Sequence, residues 1–414
     1  MRMFRAIRYA LLALNLHYRK RPETITAPVV VVLDNRFDDF FSQIDYLFSS
    51  GFLPADTAIL SRLRSNNFDR ISSGAAAFGI KVHFYTAFKK LPSIADGATL
   101  VYPFHAPINS RLMLERQHTH VFIGHGDSNK KASCNPMLRA YDYILVAGNL
   151  SRQRLIDSGI LRPALTRDHA ICIGTSTIDD RHAQLYTASN SSEINSIAYF
   201  PTWEGGNDSE NYSSLKEPAT ASFLIELCKT LKTKRIILDP HPNLGRRRPD
   251  YRTALRSLTL QLLEANLEVR LRWKHNKKAA LQPLNDLISG GRLHLEESEA
   301  ALKYAVVDVS AAEAIVASRK IPSVVLWRDE CDIHPASSYR ELRALTLVRL
   351  SVPEDTTNFL QSVGSSADST DQARFAEALF SLDIPEMADM PHSQRWSLLT
   401  KQYFSHQTIE DQRC

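Results

Sequence analysis

The run Pro28-Val29-Val30-Val31-Val32-Leu33 decides the fold class. Aliphatic residues in unbroken succession, with no polar alternation, read as a strand buried on both faces. Runs of the same kind recur at 57–60, 80–85, 98–102, 119–123 and 143–147. After a polar stretch at 186–193 they resume at 196–200, 235–238, 292–295, 304–309 and 322–327. Helical stretches separate them, as parallel βαβ crossovers require. Two such blocks, split near 180–195, predict an α/β protein of two doubly wound, Rossmann-like domains facing a cleft. In such sheets ligands bind beyond the carboxyl ends of the strands.

The length of 414 residues fits this division at the usual ~150 residues per domain. The expected boundaries are a basic N-terminal helix at 1–21, an N-terminal domain at 22–185 and a C-terminal domain at 186–365. Helices at 366–414 complete the chain. With 44% hydrophobic and 23% charged residues, the composition is that of a globular protein with a sizeable core.

The net charge of +5 is unevenly placed. Residues 1–21 hold six bases (Arg2, Arg5, Arg8, Arg19, Lys20 and Arg21) and no acid, leaving 44 bases against 45 acids elsewhere. A neutral body argues against a nucleic-acid partner. Five scattered cysteines without a CxxC pair fit neither a disulfide framework nor a zinc site, and point to a reducing compartment.

No apolar run approaches the ~20 residues that span a bilayer. The stretch 10–16 (ALLALNL) mimics a signal peptide, but His17-Tyr18-Arg19-Lys20-Arg21 follows where small residues would be needed for cleavage. At 100° per residue, Met3, Phe4, Ile7, Ala10, Leu11, Leu14 and Tyr18 share one face. Arg2, Arg5, Arg8, Asn15 and Arg19 lie opposite, with Leu12 and Leu16 among them. Two readings stand side by side: a helix in the headgroup plane of an anionic membrane, and a helix docked on its own domain.

Chemistry-bearing residues collect at the strand ends. Strand 119–123 runs into Gly124-His125-Gly126-Asp127-Ser128-Asn129-Lys130. The glycines allow a sharp turn and a close substrate, His125 is a natural general base, and Lys130 adds a point charge. Asp127 or Ser128 is expected to cap a following helix whose amides face an anion. Strand 196–200 ends in Pro201-Thr202-Trp203, a candidate pocket wall. Strand 235–238 ends in Asp239-Pro240-His241-Pro242, where two prolines fix the backbone around His241. Arg246, Arg247 and Arg248 follow, suited to phosphate or to a solvated face, the latter favoured for at least two of them. Finally, Asp308-Val309-Ser310-Ala311-Ala312-Glu313 joins a strand to a helix. Ser310 and Glu313 have capping-box spacing, and the same turn suits a diphosphate, with a ribose against Glu313.

Other classes find no support. P-loop, dinucleotide-fingerprint, GxSxG and HExxH motifs are all missing from the sequence. No cofactor or metal cluster is expected, and the sequence leaves open assistance by a divalent cation. Phosphate-directed chemistry by two histidines facing one cleft remains.

Four blocks resemble bacterial CDP-glycerol glycerophosphotransferases, the teichoic-acid-type polymerases and primases: residues 120–148, 198–215, 237–252 and 306–322. His125 matches the HG histidine of that family, His241 its HP histidine, Pro201-Thr202 its PT turn, and Asp308-Ser310 its D-x-S-S element. Ala311 replaces the second serine, and apolar residues around Ile315 replace an acid found farther along that helix. The resemblance implies a GT-B fold, with the nucleotide donor held mainly by the C-terminal domain. Together with the strand-end loops read above, this makes Gly124, Gly126, Asp127, Ser128, Lys130, Pro201, Thr202, Trp203, Arg246, Arg247, Asp308, Ser310, Ala311 and Glu313 the expected substrate or donor contacts.

The resemblance also implies peripheral attachment to the inner face of the cytoplasmic membrane, where a lipid-linked polymer acceptor is extended. The expected reaction moves glycerol phosphate from CDP-glycerol to an acceptor hydroxyl, releasing CMP, with His125 as base and His241 steadying the phosphoryl group. The competing readings are a GT-B glycosyltransferase with a nucleotide-sugar donor and an inactive module that only recruits polymer or membrane.

Overall fold

The computed structural model describes residues 2–18, 23–34, 41–87, 91–124, 126–189, 196–272, 282–328, 335–363 and 365–404. Thr24–Ile25 (β1) and Ser93–Ile94 (β5) form a small parallel pair. The first large sheet has seven strands, all parallel: Val29–Leu33 (β2), Ala58–Arg62 (β3), Lys81–Tyr85 (β4), Thr99–Tyr102 (β6), Thr119–Phe122 (β7), Tyr143–Val146 (β8) and Ala170–Cys172 (β9). Their order is β4-β3-β2-β6-β7-β8-β9, so chain direction across the sheet reverses between β2 and β6.

The second sheet has eight strands: Tyr186–Ala188 (β10), Ser196–Phe200 (β11), Arg235–Leu238 (β12), Glu268–Leu271 (β13), His294–Leu295 (β14), Ala300–Asp308 (β15), Ser323–Trp327 (β16) and Leu347–Arg349 (β17). It runs β14-β13-β12-β11-β15-β16-β17, with β10 added on β15, and reverses between β11 and β15. The fold is α/β and GT-B-like, with two doubly wound, Rossmann-like sheets.

Burial on both faces follows from the unbroken apolar run Val29–Leu33. Val29, Val31 and Leu33 enter one apolar core, while Val30 and Val32 enter another on the opposite side of the sheet. In the second sheet Ile197 and Tyr199 face one core, and Ala198 and Phe200 the other. Six strands lie where none was expected: the small pair β1 and β5, and in the large sheets β9, β10, β13 and β17. The stretch read as a polar linker therefore begins with a strand, since Tyr186–Ala188 ladders with Ala300–Leu302.

The chain after residue 365 returns to the first sheet. Trp396 and Leu399, on the helix His392–Gln402, enter the core that holds Val31 and Leu33, with Trp396 edge-on to Phe52 at 5.7 Å. The Tyr143 hydroxyl donates to the Tyr403 carbonyl at 2.6 Å. A further cluster joins Leu150 of the first half to Ala314 and Tyr339 of the second through Phe375 and Leu379.

The N-terminal helix Arg2–Tyr18 is docked by its polar side. Arg5 Nε and Arg8 Nη1 each lie 3.3 Å from the Asp69 carboxylate, and Tyr9 packs on Phe68 at 5.7 Å. Leu12 and Leu16, which break the amphipathic pattern in sequence, are half-buried on this side. The apolar face points outward: Met3 is 69% exposed, Phe4 70% and Leu11 62%. Arg19, Lys20 and Arg21 lie outside the described residues. No described helix is long and apolar enough to cross a membrane.

Candidate functional site

The second sheet reverses direction between β11 and β15, and a doubly wound sheet opens its ligand crevice at such a point. Pro201-Thr202-Trp203 leaves one strand there, and Val309-Ser310-Ala311 leaves the other. Between them lies Asp308, fully buried, its Oδ2 accepting the Thr202 amide at 2.7 Å and its Oδ1 the Ser214 hydroxyl at 2.5 Å. Ser214 in turn shares a 2.7 Å bond with the Tyr199 hydroxyl.

Burial pushes the Asp308 carboxyl up to about 7, against the opposing pull of these hydrogen bonds and of Lys130. The native protein thus holds a proton that the unfolded chain releases near pH 4. This stabilising contribution is complete below about pH 4 and is lost as pH rises through about 7. Denaturant midpoints at pH 5 and pH 8 should therefore differ, by up to a few kcal/mol in stability, and Asp308→Asn should shrink that difference.

The loop after β7 comes from the first sheet and meets this crevice. Lys130 Nζ donates to Thr202 Oγ1 at 3.1 Å and lies 5.4 Å from the Tyr212 ring centre. The Lys131 amide donates to the Tyr212 hydroxyl at 3.1 Å. Gly126 has φ +124°, and a Cβ there would stand 2.8 Å from Ala311 Cβ. No larger residue fits Gly126 without moving the opposite loop. Gly126 is thus brought to Ala311, and Lys130 to Thr202 and Asp308; Gly124 has Phe122 and Gly126 for neighbours, and His125 lies outside the described residues.

Asp127 does not cap a helix. Its Oδ1 takes Arg154 Nη2 at 2.5 Å and its Oδ2 takes the Ser151 hydroxyl, both from the helix Asn149–Asp157. The loop instead enters a short 3-10 turn, Lys131–Cys134, whose N-terminal position is Lys130 with no side-chain cap. Ser128 reaches Ser133, 3.5 Å away.

His241 stacks on Trp203 with centroids 6.0 Å apart and planes 20° from parallel. Its amide donates to the Pro201 carbonyl at 2.9 Å, tying this loop to the β11 turn. The Asn243 amide donates to His241 Nδ1 at 3.1 Å. A backbone N–H can only donate, so Nδ1 is the acceptor and a neutral ring carries its proton on Nε2.

Two polar assemblies support this loop, and neither is visible in the motifs. Asp239 Oδ2 receives the Tyr186 hydroxyl at 2.5 Å and contacts His182 Nε2 at 2.8 Å. Glu204, fully buried, accepts the amides of Gly245, Arg247 and Arg248 at 2.9, 2.6 and 2.9 Å. The amide cluster before the helix Asp250–Glu264 is therefore filled by the chain's own carboxylate. Arg247 is spent on the same loop, bonding the Glu204 and Gly205 carbonyls and pairing with Asp208 at 2.8 Å. Arg248 pairs with Asp250 at 3.0 Å, and the Arg246 amide closes the turn on Asn243.

The capping box is also displaced. The helix Ala312–Ser318 begins one residue too late for it: Ala311 takes the N-cap position, and the Ser310 hydroxyl accepts only the Ala312 amide at 3.3 Å. Glu313 turns inward. Its carboxylate receives the Tyr339 hydroxyl at 2.9 Å and Arg343 Nε and Nη2 at 3.0 and 2.9 Å. That carboxylate is committed to an interior pair and does not line the crevice as a ribose acceptor. Among the described residues no group of three or more His, Cys, Asp or Glu side chains has the arrangement of a metal site.

This arrangement defines a class: a GT-B-like protein whose two sheets meet strand end to strand end. Among solved structures the chain is similar to a glycosyltransferase from Rickettsia africae, with a TM-score of 0.50 at 10% identity over 94% of this chain and 100% of that one. Weaker likenesses include the wall teichoic acid polymerase TagF, at TM-score 0.48 and 13% identity over 99% and 98% of the two chains. Another is a UDP-GlcNAc 2-epimerase from Neisseria meningitidis, at TM-score 0.45 and 10% identity over 90% and 98%. At these identities the likeness concerns the fold alone. No protein-family model and no curated protein matches the chain.

Proposed function

We propose that this protein transfers glycerol phosphate from CDP-glycerol to a hydroxyl of a membrane-linked acceptor and releases CMP. The observation that carries the reading is the meeting of the Gly124–Lys130 loop with Thr202, Asp308 and Ala311 at the switch point of the second sheet. It joins three of the four sequence blocks that resemble glycerophosphotransferases, and the bond from the His241 amide to the Pro201 carbonyl ties in the fourth.

In this mechanism the acceptor oxygen attacks the β-phosphorus, which bears the glycerol. The bond from that phosphorus to the bridging oxygen breaks, CMP leaves with the electron pair, and His125 takes the hydroxyl proton. His241, with its proton on Nε2, donates to a phosphoryl oxygen. An arginine from 246–248 assists. Lys130 adds positive charge beside Thr202. Such transfer depends on positioning and electrostatics.

The main competing reading is a glycosyltransferase using a nucleotide sugar. It loses its ribose-binding acid in this chain, because Glu313 is occupied by Arg343 and Tyr339. Incubation with CDP-glycerol, UDP-sugars and CMP-sugars in turn, with identification of the released nucleotide, separates the two readings. CMP from CDP-glycerol is the expected result, and UDP from a UDP-sugar would replace this reading with its competitor. No turnover of any donor would fit the inactive recruiting module.

The exposed apolar face of the N-terminal helix favours the membrane reading of that segment. A helix serving only to dock on its own domain would bury that face. Deleting residues 1–21 should abolish co-sedimentation with anionic liposomes while preserving transfer to a soluble acceptor. Persistent sedimentation would remove the helix from that role.

A further inference from the structure

The last segment of the first half reaches across to the turn that carries His241. A 3-10 turn, Gly174–Thr177, follows β9, and the short helix Asp180–Ala183 comes next. Both are fixed to the first half: the Tyr46 hydroxyl donates to the Thr177 carbonyl at 3.2 Å, and Arg181 pairs with Asp45. From the helix His392–Gln402, Arg395 Nη1 donates to Ser176 Oγ at 2.9 Å, and His392 Nδ1 lies 3.3 Å from Asp180. The His182 ring leaves this anchorage and places Nε2 2.8 Å from Asp239 Oδ2, just past the end of β12.

Asp239 is buried, and the same oxygen accepts the Tyr186 hydroxyl at 2.5 Å. Burial first, and the Asp239 charge second, raise the pKa of that hydroxyl, so it stays a donor. An ionised carboxylate only accepts, so His182 Nε2 carries a proton.

We infer that His182 is a positioning residue: through Asp239 it sets the turn that presents His241, and it ties that turn to the first half. Asp239 and His241 are two residues apart, and Pro240 and Pro242 lock φ on either side of the histidine. A rotation at Asp239 therefore passes to His241 with little torsional freedom to absorb it. The His241 ring stacks on Trp203 of the β11 turn, so such a rotation alters the stacking. A displacement of about 1 Å near the reacting atoms can cost about 10² in rate.

The inference rests on the transferase reading for the role of His241, yet the placement of that ring can be measured without any donor. His182→Gln keeps an N–H as many bonds from the backbone as Nε2, His182→Asn puts it one bond short, and His182→Ala removes it. At saturating donor, the Ala and Asn variants should lose about 10–10² in kcat with an unchanged KM and thermal midpoint, and Gln should restore the rate. NMR of isotope-labelled histidine, assigned through His241→Gln, reads the ring-current shift that Trp203 imposes on His241 Hε1. That resonance should move in the Ala and Asn variants and stay in place with Gln.

An unmoved His241 resonance in the Ala variant, a Gln variant as impaired as Ala, or a thermal midpoint that falls with the rate would each overturn the assignment. If the resonance pattern held while no protein, wild type included, released CMP from CDP-glycerol, the donor reading would fall and the positioning role would stand.

Discussion

On the proposed mechanism, replacing His241 with alanine should lower the transfer rate by about 10²–10⁴ and leave the thermal midpoint near that of the wild type, the usual effect of losing one electrostatic or proton-transferring group. The side chain is positioned from both ends. The Asn243 amide occupies Nδ1, Trp203 stacks on the ring, and the backbone is bonded to Pro201. The rest of the loop is held by Glu204 and Asp239, so truncating the imidazole removes chemistry and little scaffolding. The fixed Nδ1 acceptor makes the sign specific, because a neutral His241 donates through Nε2 and does not serve as base there. His125→Ala should cost a comparable factor. Steady-state rates at saturating donor are the check, and retention of more than about a tenth of the activity, only ~1.4 kcal/mol, would remove either residue from its role.

The second large effect is on stability. Arg343 is among the largest fully buried side chains, and Glu313 is the carboxylate that its Nε and Nη2 reach. Glu313→Gln leaves a guanidinium buried without its counter-charge, a change that typically costs 3–5 kcal/mol. The pair links the helix Ala312–Ser318 to the helix Ser337–Leu342, and Phe375 packs under the Arg343 guanidinium at 4.3 Å. The variant should therefore unfold at markedly lower denaturant, while the folded fraction keeps a donor KM within about twofold of wild type. A raised KM at unchanged stability would restore Glu313 as a nucleotide ligand.

The contrast between these residues explains what the sequence could reveal. Val29–Leu33 and Ser196–Phe200 are legible because strands buried on both faces need unbroken apolar runs. Glu268–Leu271 is not, because Val269 and Leu271 face the core while Glu268 and Arg270 pair on the other face. Three residues of β17 and three of β10 are too short to carry a period. The site shows the same division. Loops at strand ends are local, and their His, Gly and Thr content can be seen at once. Their partners are remote in sequence: Lys130 meets Thr202, Asp239 meets His182, and Glu313 meets Arg343. Capping-box spacing misled because the helix starts one residue later than Ser310 needs. Arg247 and Arg248 are held on their own loop by carboxylates that no local motif announces.

If the crevice between β11 and β15 moves glycerol phosphate onto a hydroxyl, phosphorus NMR of a single reaction will show it. With CDP-glycerol and a hydroxyl acceptor, the diphosphate signals should fall while a CMP monoester and a new phosphodiester grow in equal amounts. Diphosphate signals that stay constant with CDP-glycerol, while a UDP-sugar is consumed under the same conditions, would contradict it.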